Sequence, residues 1–505
     1  MPIPRCTQCR QEIVEQQDRP STSDSLEAEI LRLDNSIAQL QRERSGLARK
    51  LNAVRASTRY LPTEILATIF EYATPPPEFD ARSFRHEPTD SRCVPRGQHP
   101  SELSLVSSDW HRVITSTSRL WDTVSMVVDF DTKRTITSLL QLHLKNVGQR
   151  PFSLYLEMLE NERGGDPIDD SDVLRELFSV ICHPDNARKF VYILLINPSQ
   201  WMKLEFFRNP GFVELEELGI LSDVYDTDHL GSLSSGITSS NLPTLRRLNL
   251  SLITDTNLLS TTLTTLVLSN MSVSSCIQLL LCCLEYPNIV EFRCRLAYDP
   301  IPLLKNVAII RTLKAFEWAC TGALCYPFLT QLQLPGLETL SLGTPDDESL
   351  SEFLSHIPKS CSTYELSTCG GVIEPARAIF DQLPQVRCLV VEGEDPETLC
   401  TVFSYLQSQP QGAAASTPCM PRLNQITWKC LQSEYRDVHE NVPRFFIDMV
   451  ESRKDCWKQG ISFVYSDHNI RWSEEDLYAL KDLQKDGIVL WVLDKYRNTM
   501  VIGDW

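Results

Sequence analysis

The sequence predicts an α/β solenoid of parallel inner strands and outer helices, entered through an all-helical N-terminal portion. Three observations predict it. First, an L-x-x-L-x-L pattern recurs as Leu215-Glu-Glu-Leu-Gly-Ile220, Leu245-Arg-Arg-Leu-Asn-Leu250, Leu263-Thr-Thr-Leu-Val-Leu268 and Leu337-Glu-Thr-Leu-Ser-Leu342, with looser copies marked by Phe292, Phe316, Leu389 and Ile426. With a poorer copy at Tyr364, the markers from 266 to 389 step by 26, 24, 24, 24 and 25 residues, one strand–loop–helix unit per step. Second, Pro-x-apolar opens five copies, at Pro243, Pro287, Pro335, Pro384 and Pro421. Proline ends the preceding helix and keeps its neighbour extended, ready for a strand. Third, helical segments precede two of these prolines, Ser274–Glu285 before Pro287 and Pro375–Gln382 before Pro384, and another, Glu348–His356, precedes Pro358.

The totals narrow the function classes. The chain has 505 residues, and 48 basic against 66 acidic side chains give a net charge of −18. An acidic chain has no general attraction for phosphate backbones, so nucleic acid is not an expected partner. No apolar run approaches the roughly 18 residues of a membrane span, and no secretory signal is visible at the N-terminus. The 17 cysteines are odd in number, and several, such as Cys276, Cys282 and Cys283, sit within apolar stretches. They read as small core residues in a reducing compartment, which points to cytoplasm or nucleus.

In order along the chain, residues 1–25 form a polar tail. Its Cys6-x-x-Cys9 is half of a metal site without a second pair at useful spacing, so it reads as two free thiols. Residues 26–58 carry a heptad seam: Ile30, Ile37, Arg44 and Leu51 at a, with Leu26, Leu33, Leu40, Leu47 and Val54 at d. Two readings stand side by side. The helix joins a partner helix, or it packs back on its own chain. A parallel homodimer is disfavoured, because Glu29 at g would meet Asp34 at the next e.

Next, Leu61-Pro-Thr-Glu-Ile-Leu-Ala-Thr-Ile-Phe70 places apolar residues three and four apart, with proline and acid in the first turn. A second segment answers it: Leu103-Ser-Leu-Val-Ser-Ser-Asp-Trp-His-Arg-Val-Ile114, then Leu120-Trp121. The order LP-x-E-I-L, I-F, L-x-x-V-S-x-x-W, LW resembles an F-box, here over residues 59–121. The Pro-rich stretch 74–100 is inserted where the family has a short link. The repeats over 122–470 resemble the leucine-rich repeats that follow F-boxes in fungal, basidiomycete-like proteins. They depart at the loop position where the family often has Asn or Cys: it holds Ile253, Met271, Ala297, Thr321, Pro345 and Glu394, with Cys369 the one match. An irregular solenoid follows, with low-complexity loops at Ser232–Ser240 and Gln407–Pro418 and a closing segment over 471–505. In that segment Ser473 caps a helix that Gly487 stops.

The resemblance implies the substrate-recognition subunit of an SCF-type cullin–RING ubiquitin ligase. The F-box would bind a Skp-type adaptor and, through it, a cullin, while the repeats hold a protein substrate. Matching the family's adaptor-binding or F-box core positions are Leu61, Pro62, Ile65, Leu66, Ile69, Val106, Trp110 and Trp121. The other reading is a repeat scaffold without a ligase role. No P-loop, G-x-G-x-x-G or G-x-S-x-G occurs, and the nine histidines are scattered. No catalytic activity, cofactor or metal is therefore expected. On the strands, residues beside and between the core leucines point to the inner face. This puts Arg247, Arg293 and Arg295 together there as an expected basic cluster among Glu291, Glu317, Glu365 and Glu392. Two readings stand: a clamp for an acidic or phosphorylated segment, or arginines that only pair with Glu291 and Glu317 and stay solvated.

Overall fold

The computed structural model describes residues 23–55, 57–74, 100–128, 133–158, 171–196, 211–221, 242–251, 260–269, 271–295, 307–319, 327–343, 350–367, 377–393, 396–407, 419–430, 441–454, 460–465, 470 and 472–494. The Cys6–Cys9 pair, the interior of the Pro-rich insertion, both low-complexity loops apart from Gln407 and, Met271 apart, the Asn/Cys loop positions lie outside these residues. The chain divides into two units at Trp121/Asp122.

The first unit is helical. Helix α1 (Ser23–Arg55) is followed by a 3-10 turn, α2 (Thr63–Ala73), a short α3 (Pro100–Leu103), α4 (Ser108–Ser116) and a second 3-10 turn, Ser118–Trp121. Ser107 caps α4, its hydroxyl accepting from the Trp110 N–H at 3.1 Å. The two segments that flank the insertion pack together: the Phe70 and Trp110 rings lie 4.7 Å apart at 60°, and Leu66, Val113 and Ile114 are buried.

The second unit is one parallel sheet with helices on one side. Its strands are β1 (Thr123–Val128), β2 (Phe152–Met158), β3 (Phe190–Ile196), β4 (Glu217–Leu221), β5 (Arg247–Ser251), β6 (Thr265–Ser269), β7 (Glu291–Arg295), β9 (Ala315–Ala319), β11 (Thr339–Gly343), β12 (Thr363–Ser367), β13 (Cys388–Gly393), β14 (Gln425–Cys430), β15 (Ile461–Tyr465) and β16 (Leu490–Asp494), hydrogen-bonded in that order. A separate two-residue pair joins β8 (Ala308–Ile309) to β10 (Leu332–Gln333). The connections carry α5 (Lys133–Val147), α6 (Ser171–Ile181), α7 (Pro184–Ala187), α8 (Val273–Cys282), α9 (Leu350–Ser355), α10 (Arg377–Gln382), α11 (Pro396–Gln407), α12 (Asn441–Ser452) and α13 (Glu474–Lys485).

This is the leucine-rich-repeat solenoid that the spacing predicts. All nine sequence markers fall in a single row across the sheet: Leu218, Leu248, Leu266, Phe292, Phe316, Leu340, Tyr364, Leu389 and Ile426. Each of them is buried. The row runs on through Val124, Leu154 and Ile193 at one end and Phe463 and Val492 at the other. Residues 471–505, expected as a closing segment, therefore also contribute a strand to the same sheet. The helices cover this row: Phe403 of α11 and Phe446 of α12 meet Phe463 at 5.8 and 4.9 Å. Ser473 and Asp476 form a reciprocal capping box on α13, and Gly487, at φ 88°, ends it.

Candidate functional site

Two surfaces collect the residues singled out from the sequence. On the helical unit, α2 is divided lengthwise. Leu66 and Phe70 are buried, while Leu61, Pro62, Ile65 and Ile69 are exposed. Residues 65, 69 and 72 follow one face of the helix, so the exposed Tyr72 extends the apolar patch; Tyr60 and Leu105 are exposed as well. Trp121 is 1% exposed and donates its indole N–H to the Ile114 carbonyl at 2.8 Å. Trp110 is half-buried and donates to Thr58 Oγ1 at 3.1 Å, and Val106 is half-buried too. The eight matched residues thus fall into three groups, of which Val106 and Trp110 are the half-buried one. Leu66 and Trp121 hold the unit together and offer no side chain to a partner. Leu61, Pro62, Ile65 and Ile69 face outward.

On the solenoid, the face away from the helices is formed by three rows of side chains, and its character changes along the sheet. Across β2–β4 it is apolar: Tyr155, Leu194, Ile196 and Leu221 form a buried cluster with Tyr192 packed against it. Gly219 lies beneath this cluster, where any side chain would overlap Leu194 Cδ1. Tyr192 stands at the border with the charged stretch. Burial, and then the nearby Glu217 carboxylate, push its phenol pKa up, against a smaller opposite effect of Arg247.

From β4 to β14 the face is ionic. Arg247 lies 3.6 Å from Glu217 and 3.9 Å from Glu291. Arg293 donates from Nε to Glu291 at 2.6 Å and stands 3.7 Å from Glu317. Arg295 grips Glu317 with two bonds, Nε to Oε1 at 2.5 Å and Nη2 to Oε2 at 3.1 Å. Further along, Lys429 donates to Glu365 at 2.8 Å. The Arg295–Glu317 pair is the buried part, with side chains 6% and 5% exposed; Arg247 is 49% exposed and Arg293 28%. Burial by itself lowers the Arg295 pKa. The Glu317 carboxylate in contact, with Glu392 and Glu365 nearby, outweighs this and holds it above the ordinary guanidinium value. Arg295 Nη1 and Ser341 Oγ, the latter beside Glu317 in the same row, have no hydrogen-bond partner among the described residues.

The three arginines thus stand in a mixed-charge ladder with the chain's own acids, as the second reading has it, except that Arg295 is sealed rather than solvated. Arg293 and Arg295 do converge on a carboxylate, but it is the chain's own Glu317, one strand on. Glu217 and Lys429 were not singled out from the sequence, because nothing local in either marks which residue faces it across the sheet. Among the described residues no three His, Cys, Asp or Glu gather as a metal site, and no helix is long and apolar enough to cross a membrane.

Among solved structures the chain is similar to a leucine-rich repeat-containing protein from Legionella pneumophila, with 12% identity over 75% of this chain and 92% of that one and a TM-score of 0.31. It is similar also to a protein from Bacteroides fragilis, with 14% identity over 63% of this chain and 68% of that one and a TM-score of 0.24. At such scores the fold rests on the strand ladder itself. No family model and no curated protein matches the chain.

Proposed function

We propose that the chain is a protein-binding repeat scaffold that serves as the substrate-recognition subunit of an SCF-type ubiquitin ligase. The observation that carries this is the divided helix α2. A short helix whose inner Leu66 and Phe70 are buried, Phe70 against Trp110, keeps Leu61, Pro62, Ile65 and Ile69 in water, where a helix serving only its own core would carry polar residues. Those four residues stand in the LP-x-E-I-L…I segment that resembles an F-box, and the Skp-type adaptor with its cullin is the partner that resemblance implies. The ligase reaction itself belongs to other subunits. This chain contributes proximity, raising the effective concentration of a bound protein near the transferring centre.

The inner face is the proposed substrate surface. An acidic or phosphorylated segment would compete with Glu217 and Glu291 for Arg247 and Arg293, which water already reaches. Arg295, sealed against Glu317, stays with its own carboxylate and positions that acid.

The test is affinity purification of the full chain with Leu61→Ala and Pro62→Ala together. Both positions are exposed, so the fold is retained and recovery of adaptor and cullin is expected to fall to background. Undiminished recovery sinks the ligase reading and leaves the scaffold reading, in which the helical unit has no adaptor role.

A further inference from the structure

Helix α1 carries an apolar seam that is exposed among the described residues. Leu26, Ile30, Leu33, Ile37, Leu40, Leu47, Leu51 and Val54 are each between 47% and 68% exposed. They spread over four heptads, long enough for a coiled coil, on a helix about 50 Å long. A helix of this kind has little reason to persist in water unless another apolar face covers the seam. The alternative from the sequence, that it packs back on its own chain, leaves these residues buried, and they are not.

Charge selects the occupant and its direction. In a parallel pair of α1 helices, Glu29 meets Asp34 and the remaining g–e contacts are Ser36 with Gln41 and Glu43 with Ala48, so repulsion has no compensation. In an antiparallel pair g faces g and e faces e, and each a residue layers against a d residue. The register that overlaps the two helices end to end layers Ile30 on Leu47, Ile37 on Leu40 and Leu51 on Leu26 of the second copy. It sets Glu29 against Lys50 twice, once at each end. Ser36 faces Glu43, Glu27 faces Ala48 and Asp34 faces Gln41, and no like charges meet. Arg44, the charged residue at an a position, layers on Leu33 with Asp34 of the second copy adjacent. Glu29 is bonded to Arg32 of its own helix at 2.7 and 2.9 Å, but that pair is exposed and exchanges at little cost.

We infer that α1 joins two copies of this chain as an antiparallel coiled coil. The inference does not depend on the adaptor reading. Sedimentation of the full chain tests it. A dimer is expected at low micromolar concentration, and Ile37→Asp with Leu40→Asp, both at exposed positions that leave the fold intact, is expected to return monomer. The direction is read from charge. Glu29→Lys sets like charges against Lys50 and weakens the antiparallel dimer about tenfold at low salt. Adding Lys50→Glu in the same chain restores it. In the parallel arrangement Glu29→Lys would face Asp34 and tighten the dimer. A monomer at every concentration up to about 50 µM, a dimer indifferent to the Ile37/Leu40 pair, or one that Glu29→Lys tightens or leaves unchanged overturns the inference.

Discussion

In the middle row of the solenoid's inner face, β3 and β4 place Leu194 over Gly219, while β7 and β9 place Arg293 beside Glu317. The backbone register is the same at both places. The first pair belongs to a buried apolar cluster and the second to an ionic ladder. The repeat therefore dictates the rows that face the helices, where every marker residue is sealed and all but Tyr364 are purely apolar, and leaves the inner rows free to vary from strand to strand. Specialisation follows from that freedom. The helix-facing rows can be nearly uniform because each one must fill the same space between sheet and helices. The inner rows answer to whatever meets that face.

The largest effect should come from the ionic region. Glu317→Ala leaves the Arg295 guanidinium buried without its carboxylate, which costs about 3–5 kcal/mol. The expected readout is a clear drop in the urea midpoint of the solenoid. Replacing both partners, with Arg295→Met and Glu317→Leu, removes the buried charges together and should recover most of the loss. A midpoint unchanged by Glu317→Ala would mean that water reaches Arg295, and that the pair is no more sealed than Arg247.

The apolar region should break by overfilling. At Gly219 an added methyl overlaps Leu194, whose side chain is 1% exposed and wedged among Tyr155, Ile196 and Leu221, so it has nowhere to swing. Gly219→Val is expected to cost about 1–3 kcal/mol by the same denaturation measurement. Adding Leu194→Ala should relieve the overlap, making the double variant less destabilised than the two single costs together predict. Strict additivity would show that the two residues do not share one space.

The same division explains what could be read from the chain alone. The helix-facing rows were legible because Leu, Phe and Ile recur at the unit length and Pro punctuates the units. The strands β1–β3, β15 and β16 do not stand out as repeats: Leu154, Phe463 and Val492 lack the full six-residue pattern, and Trp121-x-x-Val124-x-Met126 and Phe190-x-x-Ile193-x-Leu195, which have it loosely, lack the Pro-x-apolar opening. The inner-face positions of Arg247, Arg293 and Arg295 followed from two-residue alternation. Glu291 and Glu317 followed with them as pairing acids; the assignment of each to its arginine, and Glu217, did not. Which carboxylate meets which guanidinium depends on the register between strands and on diagonal reach, as when Arg295 passes its direct neighbour Ala319 to hold Glu317. In the helical unit, heptad and amphipathic spacing located α1 and α2. Spacing alone did not say that α2 would turn Leu66 inward while leaving Ile65 and Ile69 in water.

The smallest effect on stability separates the exposed end of the ladder from its buried pair. Arg247 is half exposed and stands 3.6 and 3.9 Å from its two carboxylates, distances of loose ion pairs rather than tight hydrogen bonds. Arg247→Ala should therefore change folding stability by less than about 1 kcal/mol. Arg247→Glu with Arg293→Glu should likewise leave a folded solenoid, yet it reverses the charge that an acidic ligand would use. If the inner face binds such a ligand, proteins that co-purify independently of Leu61 and Pro62 should be lost with this double variant. Retention of all of them at full yield, with the solenoid still folded, would move ligand recognition away from the exposed part of the ladder.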